Sequence, residues 1–420
     1  MMKKAIIFLC LFQTVSNFST VHTTDFKKAL TLVQNHQYQQ GLELLLQLAE
    51  QQPNNPTILY NTAYTFKQLG YITDAIPFYE RAIALNPENG PAHLGLAKAY
   101  LATGNFTDGW QAFEYRMANQ KKYRQEYPFH NLTLEDLKGK TVLLKAEWGF
   151  GDMMQFLPRY AQVLKEAGVK KIIAHTFNPL VQLFALCPYI DQAISLKEPA
   201  TGYDTQIPAL SLPLLCSTTV DSIPADIPYL QADPNLVAYW AQELKKVDGN
   251  QKLRIGLCWQ AKPGIFLENN PLTRRSIPLE RFAPLAQLEH VQLYSLHPSI
   301  LSSRHKGLEE HSGSALRADS NLKWLHQFGP DFDKTNGRFM DTAAVIENLD
   351  LIISVDTAIV HLAGALGAPV WVLLPSVAEW RWQLHQTETP WYPNVRLFRK
   401  KKEQTWSDLI ATIKELLCTL

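Results

Sequence analysis

Small and apolar positions between residues 22 and 120 recur with a fixed spacing. Shifting the chain by 34 residues lays Ala29 on Ala63 and Ala97, Leu32 on Phe66 and Tyr100, Gly41 on Ala75 and Gly109, Leu45 on Tyr79 and Phe113, and Pro53 on Pro87. Small residues belong where two helices cross closely, large apolar ones fill the groove beside them, and proline closes each unit. The pattern predicts three helix-pair repeats stacked on one another.

From residue 141 the period changes. Short apolar runs, TVLLKAE (141–147), KIIAH (171–175) and QAISL (192–196), alternate with expected helices at 153–166 and 179–186. A second series follows: LRIGLCW (253–259), a helix at 279–287, VQLYSLH (291–297), a helix at 342–350, LIISV (351–355), a further helix and VWVLL (370–374). Strands that alternate with helices imply right-handed crossovers and a parallel sheet covered on both faces. The expected organisation is residues 22–120 as repeats, 121–140 as a linker, 141–235 and 251–400 as two Rossmann-like domains, and 404–420 as a closing helix. Residues 231–250, a mixed polar helix after Asp233-Pro234, form the link between the two.

Lys plus Arg number 40 against 39 Asp plus Glu, so no overall charge favours nucleic acid or an anionic membrane, and any anionic ligand needs a local arrangement. The five cysteines show neither disulfide nor zinc spacing and read as reduced, mostly buried thiols. Residues 1–21 carry two lysines and the apolar run Ala5–Phe12; they read either as a short export signal or anchor, or as an N-terminal helix.

Three loops at strand ends carry candidate chemistry. In EWGFGDMMQF (147–156), Gly149 and Gly151 permit close backbone approach to a ligand at a helix start, and Asp152 is either a general base or a helix cap. The three-glycine dinucleotide pattern is absent, which disfavours a nicotinamide enzyme. The second loop ends in Arg274 and Arg275 before SIPL, either a phosphate clamp or a solvated pair. In SVDTAIVHLAGALGAPVWVLL (354–374), Asp356 and Thr357 mark a helix start and Gly367 and Pro369 its end, with His361 one turn in. His361 either faces an anion at the helix start or is a satisfied core histidine.

LYNTAYTFKQLGYITDAIPFYERAIALNP (59–87) resembles a tetratricopeptide repeat, and DTAIVHLAGAL (356–366) resembles the Asp-Thr-Gly-x-x-His-Leu-x-x-Ala motif of glycosyltransferase family nine, with Ala358 in place of the glycine. The order of repeats, GFGD, RRSIPL, the 356–374 stretch and EWRWQLHQTETPWYP is similar to that of bacterial repeat–glycosyltransferase fusions. The resemblance implies tetratricopeptide helices followed by a GT-B fold. It implies a nucleotide-sugar donor held by Asp356, Thr357, Ala358 and His361 with Arg275 or Arg274, and Asp152 deprotonating an acceptor hydroxyl in an inverting displacement. Neither a metal nor a further cofactor is implied, and PDFD (330–333) reads as a solvated loop. The repeats imply a protein or peptide partner, nothing implies nucleic acid or a membrane span, and the donor chemistry implies the cytoplasm. A repeat scaffold with an inactive transferase-like part is the competing expectation.

Overall fold

The computed structural model describes residues 20–117, 132–224, 226–261, 270–297 and 323–420. Residues 1–19 of the expected leader and most of the expected linker lie outside the described residues. By contacts the chain divides into two compact units: residues 1–126, 265–274 and 376–385 form one, and 127–264, 275–375 and 386–420 the other.

The first unit holds six helices, α1 (Thr20–Gln34), α2 (Tyr38–Gln51), α3 (Pro56–Gln68), α4 (Ile72–Leu85), α5 (Gly90–Thr103) and α6 (Phe106–Phe113). Asparagines start three of them. Asn55 accepts hydrogen bonds from the Thr57 and Ile58 amides, Asn89 from Ala92 and Asn105 from Asp108. Ala29, Ala63, Ala75 and Ala97 are fully buried, as the repeat pattern requires. The two short segments from later in the chain pack on these helices. Leu272 packs against the core of the first three helices and α4, the buried Asn270 side chain donates to the Gln68 carbonyl at 3.1 Å, and the Val377 amide donates to Leu272. Trp380 stands edge-on to Trp110 and Phe113 at 5.5 and 6.3 Å between ring centroids. Both segments were expected within the α/β part; their large apolar side chains instead complete the repeat unit.

The second unit contains two sheets. In the first, β1 (Thr141–Lys145), β2 (Lys171–Thr176), β3 (Gln192–Ser195) and β4 (Thr205–Pro208) lie in the order β3-β2-β1-β4, all parallel. The second comprises β5 (Leu253–Cys258), β6 (Val291–Ser295), β7 (Leu325–His326), β8 (Leu351–Val355), β9 (Val370–Leu374), β10 (Glu388–Thr389) and β11 (Tyr392–Arg399). Its order is β10-β11-β9-β8-β5-β6-β7, parallel except where β10 meets β11. Among the helices are α7 (Phe150–Glu166), α8 (Val181–Ala185), α9 (Leu212–Leu215), α10 (Pro234–Asp248), α11 (Met340–Ile346), α12 (Ala358–Leu366) and α13 (Trp406–Leu417).

Helical repeats followed by parallel α/β sheets are therefore the architecture, as expected. Some elements differ. Residues 279–287 form a 3₁₀-helix rather than an α-helix: Pro284 has no N–H to give and sits mid-element. β4, β7, β10 and β11 had no strand expectation. Cys187 and Cys258 are buried, whereas Cys216 is half-buried and Cys418 exposed, all as free thiols. No helix among the described residues is long and apolar enough to cross a membrane.

Gly95 in α5 shows how tightly the repeats pack. A Cβ there would stand 2.5 Å from the ring of Tyr79, itself 1% exposed. Helix propensity alone favours alanine by about 1 kcal/mol, but the buried ring cannot give way. Gly95→Ala is expected to cost about 1–3 kcal/mol of stability, the usual penalty of overpacking, read as a lower denaturant midpoint.

Candidate functional site

In each sheet the chain reverses its direction of travel between two neighbouring parallel strands. In the first sheet the chain runs from β1 to β2 and β3 and returns to β4 on the other side of β1; in the second it runs from β5 to β6 and β7 and returns to β8. Ligands of open α/β sheets bind beyond the carboxyl ends of the strands at such switch points. All three candidate loops follow switch strands: 146–149 follows β1, the loop into RRSIPL follows β5, and 356–357 follows β8.

Two of these loops touch. α7 and α12 pack against each other, and at their starts the approach is closer than a side chain allows. A Cβ on Gly151 would lie 2.7 Å from His361 Cδ2 and 3.3 Å from the Ala358 Cα. Gly151 thus sets the first turn of α7 directly on the first turn of α12. Helix starts carry unpaired N–H groups and a partial positive charge, so two of them side by side favour an anion.

Within this arrangement each expected residue has a definite place. Asp152 is the third residue of α7, and its Oδ2 accepts from the Gly149 amide at 3.1 Å, closing the first turn from inside the helix. The cap position itself is Gly149. Thr357 caps α12, its Oγ1 accepting from the Ile359 amide at 3.3 Å. The same oxygen lies 3.2 Å from Ser354 Oγ and 3.7 Å from Cys258 Sγ, which ties the ends of β5 and β8 together. Burial pushes the Cys258 thiol up, so it remains protonated.

Asp356 is 3% exposed. Arg275 Nη1 donates to its carbonyl at 3.2 Å and lies 3.4 Å from Oδ2. The guanidinium is therefore already half-engaged beside the α12 start. Arg274 differs: its side chain is exposed, and it ends the 265–274 segment of the repeat unit. Of the two arginines only Arg275 is placed with Asp356. Ala358 occupies the first helical position without a positive φ, so the backbone there does not need a glycine.

His361 is buried, and its Nδ1 lies 3.0 Å from the Tyr392 hydroxyl. The small residues after it do more than bring α12 against the sheet: a Cβ on Gly364 would meet Tyr392 Cδ1 at 2.6 Å.

Sequence reasoning missed several neighbours. Trp148, between β1 and Gly149, has φ 55° and is 46% exposed, a left-handed backbone that bulky residues rarely adopt. The Arg338 guanidinium lies over the Phe150 ring at 5.5 Å. Asp333 of PDFD is not a solvated group: it accepts from the Thr342 amide and hydroxyl at 3.0 and 2.6 Å and fastens the start of α11. Burial pushes its carboxyl up. No group of three His, Cys, Asp or Glu among the described residues is placed to hold a metal ion.

Two family models match parts of the chain. Residues 68–109 match the tetratricopeptide-repeat family model, and residues 336–411 match that of glycosyltransferase family 9 (heptosyltransferase). The second match includes α11, α12, Asp356 and His361, and also the 376–385 segment that packs with the repeats. The chain is 25% identical over 395 residues to Protein FlbA of Caulobacter vibrioides, covering 87% of this chain and 62% of that protein; it thus spans less than two thirds of this curated relative. Similar solved structures include the E. coli ADP-heptose lipopolysaccharide heptosyltransferase II, at 15% identity and TM-score 0.43, covering 66% of this chain and 98% of that one. The family 9 glycosyltransferase of Veillonella parvula aligns at 13% identity and TM-score 0.46, covering 67% and 96%.

Gly151→Ala is expected to force the starts of α7 and α12 apart, at about 1–3 kcal/mol, and to lower the denaturant midpoint. Gly329→Ala, where a Cβ would meet nothing within 4 Å, is the control and should leave it unchanged.

Proposed function

We propose that the chain is a glycosyltransferase that moves a sugar from a nucleotide-sugar to a hydroxyl acceptor by a single, inverting displacement without a metal. The observation that carries the reading is the contact of Gly151 with His361 and Ala358. It brings the loop of Asp152 beside the start of α12, at the carboxyl ends of two switch strands. The family 9 match over residues 336–411 supports the donor half of the site.

In this reading the diphosphate of the donor lies at the start of α12. The Ala358 amide that opens that turn, the Thr357 hydroxyl and the remaining N–H groups of Arg275 take up the charge that grows on the nucleoside diphosphate as it leaves. Asp152, held in the first turn of α7, removes the acceptor proton while the acceptor oxygen attacks the anomeric carbon. The bond to the diphosphate breaks as the new glycosidic bond forms, so the anomeric centre inverts. The tetratricopeptide helices recognise the acceptor, a protein or a glycan carried by one, and the reaction takes place in the cytoplasm, where nucleotide-sugars are made.

Asp152 has two duties in this scheme, and they separate. Asparagine retains an oxygen to accept from the Gly149 amide but has no basicity. Asp152→Asn is expected to fold like the wild type and to bind nucleoside diphosphates unchanged, while transfer falls by about 10²–10⁴-fold, the usual contribution of a general base. Asp152→Ala should in addition lose about 0.5–1.5 kcal/mol of stability with the hydrogen bond to the Gly149 amide. The measurement is nucleoside diphosphate release from a panel of nucleotide-sugars, beside an unfolding curve. Wild-type rates in the asparagine variant would remove Asp152 from the chemistry. Binding without release in the wild type would favour the scaffold reading.

Removing the repeats is not a clean test of acceptor recognition. Leu272, Trp380 and Trp382 are covered within the repeat unit, and a chain without residues 20–117 is expected to expose them and aggregate, which light scattering of the truncated protein checks.

A further inference from the structure

Behind His361 lies a polar network that neither the resemblance nor the proposed reaction uses. Its root is Arg159, in the middle of α7 and 1% exposed. Among the described residues no carboxylate pairs with it. Its Nε donates to the Gln155 carbonyl at 3.2 Å, Nη1 to the Pro224 carbonyl, and Nη2 to the Trp391 carbonyl at 2.6 Å and to the Tyr229 hydroxyl at 3.4 Å. The charge also lies over the rings of Tyr229 and Tyr392, at 4.7 and 5.0 Å. From Tyr229 the hydroxyls continue: Tyr229 Oη is 3.4 Å from Tyr392 Oη, which is 3.0 Å from His361 Nδ1.

A chain of hydroxyls can run in either direction, and the guanidinium decides which. Arg159 has donors only, so the Tyr229 oxygen turns toward it and the Tyr229 proton turns away. Running the chain backward would make His361 Nδ1 the donor and end the relay on the Gln155 carbonyl. That oxygen is no nearer to Tyr229 than the Tyr392 hydroxyl is, 3.5 against 3.4 Å, and it already accepts from Arg159 Nε. Run forward, Tyr229 donates toward Tyr392 and Tyr392 donates to Nδ1.

We propose that Tyr392 is a positioning residue that donates its hydroxyl proton to His361 Nδ1 and so holds the imidazole as the neutral Nε2–H tautomer. Nε2 lies on the edge of the ring nearer Gly151, 3.5 Å from where that residue's Cβ would be. The tautomer therefore turns an N–H, and not a lone pair, toward the place where the two helix starts meet. Gly364 belongs to the device. It sits one turn beyond His361, and only a residue without a Cβ lets the Tyr392 ring lie close enough to α12 for its hydroxyl to reach Nδ1.

The consequence for donor binding rests on the reading of this site given above; the tautomer itself does not. The test is two-bond ¹H–¹⁵N correlation spectroscopy of the full chain labelled at histidine, with His361 assigned by the signal lost in His361→Gln. In the wild type Nε2 is expected to carry the proton and Nδ1 none. Tyr392→Phe keeps the ring and removes the donor, and should populate the Nδ1–H form. Tyr229→Phe, one step back, should shift the populations the same way by less, and it reads the relay if the Tyr392 variant does not fold. Binding of the best nucleoside diphosphate among ADP, GDP and UDP should weaken roughly threefold to tenfold in Tyr392→Phe, as the loss of one oriented hydrogen bond implies. A wild-type His361 protonated at Nδ1, or a folded Tyr392→Phe with the tautomer unchanged, overturns the proposal. The expected tautomers without nucleotide binding would support the proposal and remove the donor reading.

Discussion

Where α7 meets α12 there is no room for a Cβ, and much of the α/β unit is arranged around that fact. Glycine at 151 lets the first turn of one helix rest on the histidine ring and backbone of the other. With the helix starts so close, both must be fixed by something other than each other's side chains. Asp152 fixes one through the Gly149 amide and Thr357 the other through the Ile359 amide. Further along, α7 is buried on nearly every side from Met153 to Gln162, and its one deeply buried cation, Arg159, holds the chain at Trp391 and Pro224. The contact at Gly151 and the network at Arg159 are two ends of a single clamp between the sheets.

The residues of the candidate site are therefore each tied into the fold. Asp356 is paired with Arg275, His361 is held by Tyr392, and Thr357 joins the ends of β5 and β8. Such partners narrow the positions that each group can adopt, which is what a site needs if its donors are to be in place before a ligand arrives. It also explains why alternatives stayed open from sequence for Asp152 and for His361: cap or base, core residue or ligand contact. The geometry makes Gly149 the cap and Asp152 the third residue of α7, and it buries His361 against the Tyr392 hydroxyl.

The sequence made the repeats, the strands β1, β2, β5, β6, β8 and β9 and the loops at their ends legible, because apolar runs and cap residues are local signals. Gly367 ends α12 in the left-handed conformation, as its position before Pro369 implied. Tyr229, Tyr392 and Arg159 were not legible as a group, since they stand 70 and 163 residues apart and meet only through tertiary packing. One signal was available: an arginine inside MQFLPRYAQVL, a stretch with no other charge and mostly apolar or aromatic residues, has to find its partners indoors. The short strands β4 and β7 carry too few residues to show a period, and β11 alternates burial only in part.

The repeat unit borrows residues 265–274 and 376–385, so the chain passes between the two units five times rather than once. During synthesis this imposes an order. The six helices emerge first, yet the side chains that cover them come later, Leu272 after β5 and Trp380 only after β9, when most of the α/β unit has been made. The helices that lead the chain are thus among the last parts of the molecule to be completed, and a ribosome that stops before residue 376 releases a repeat array with one of its faces still bare.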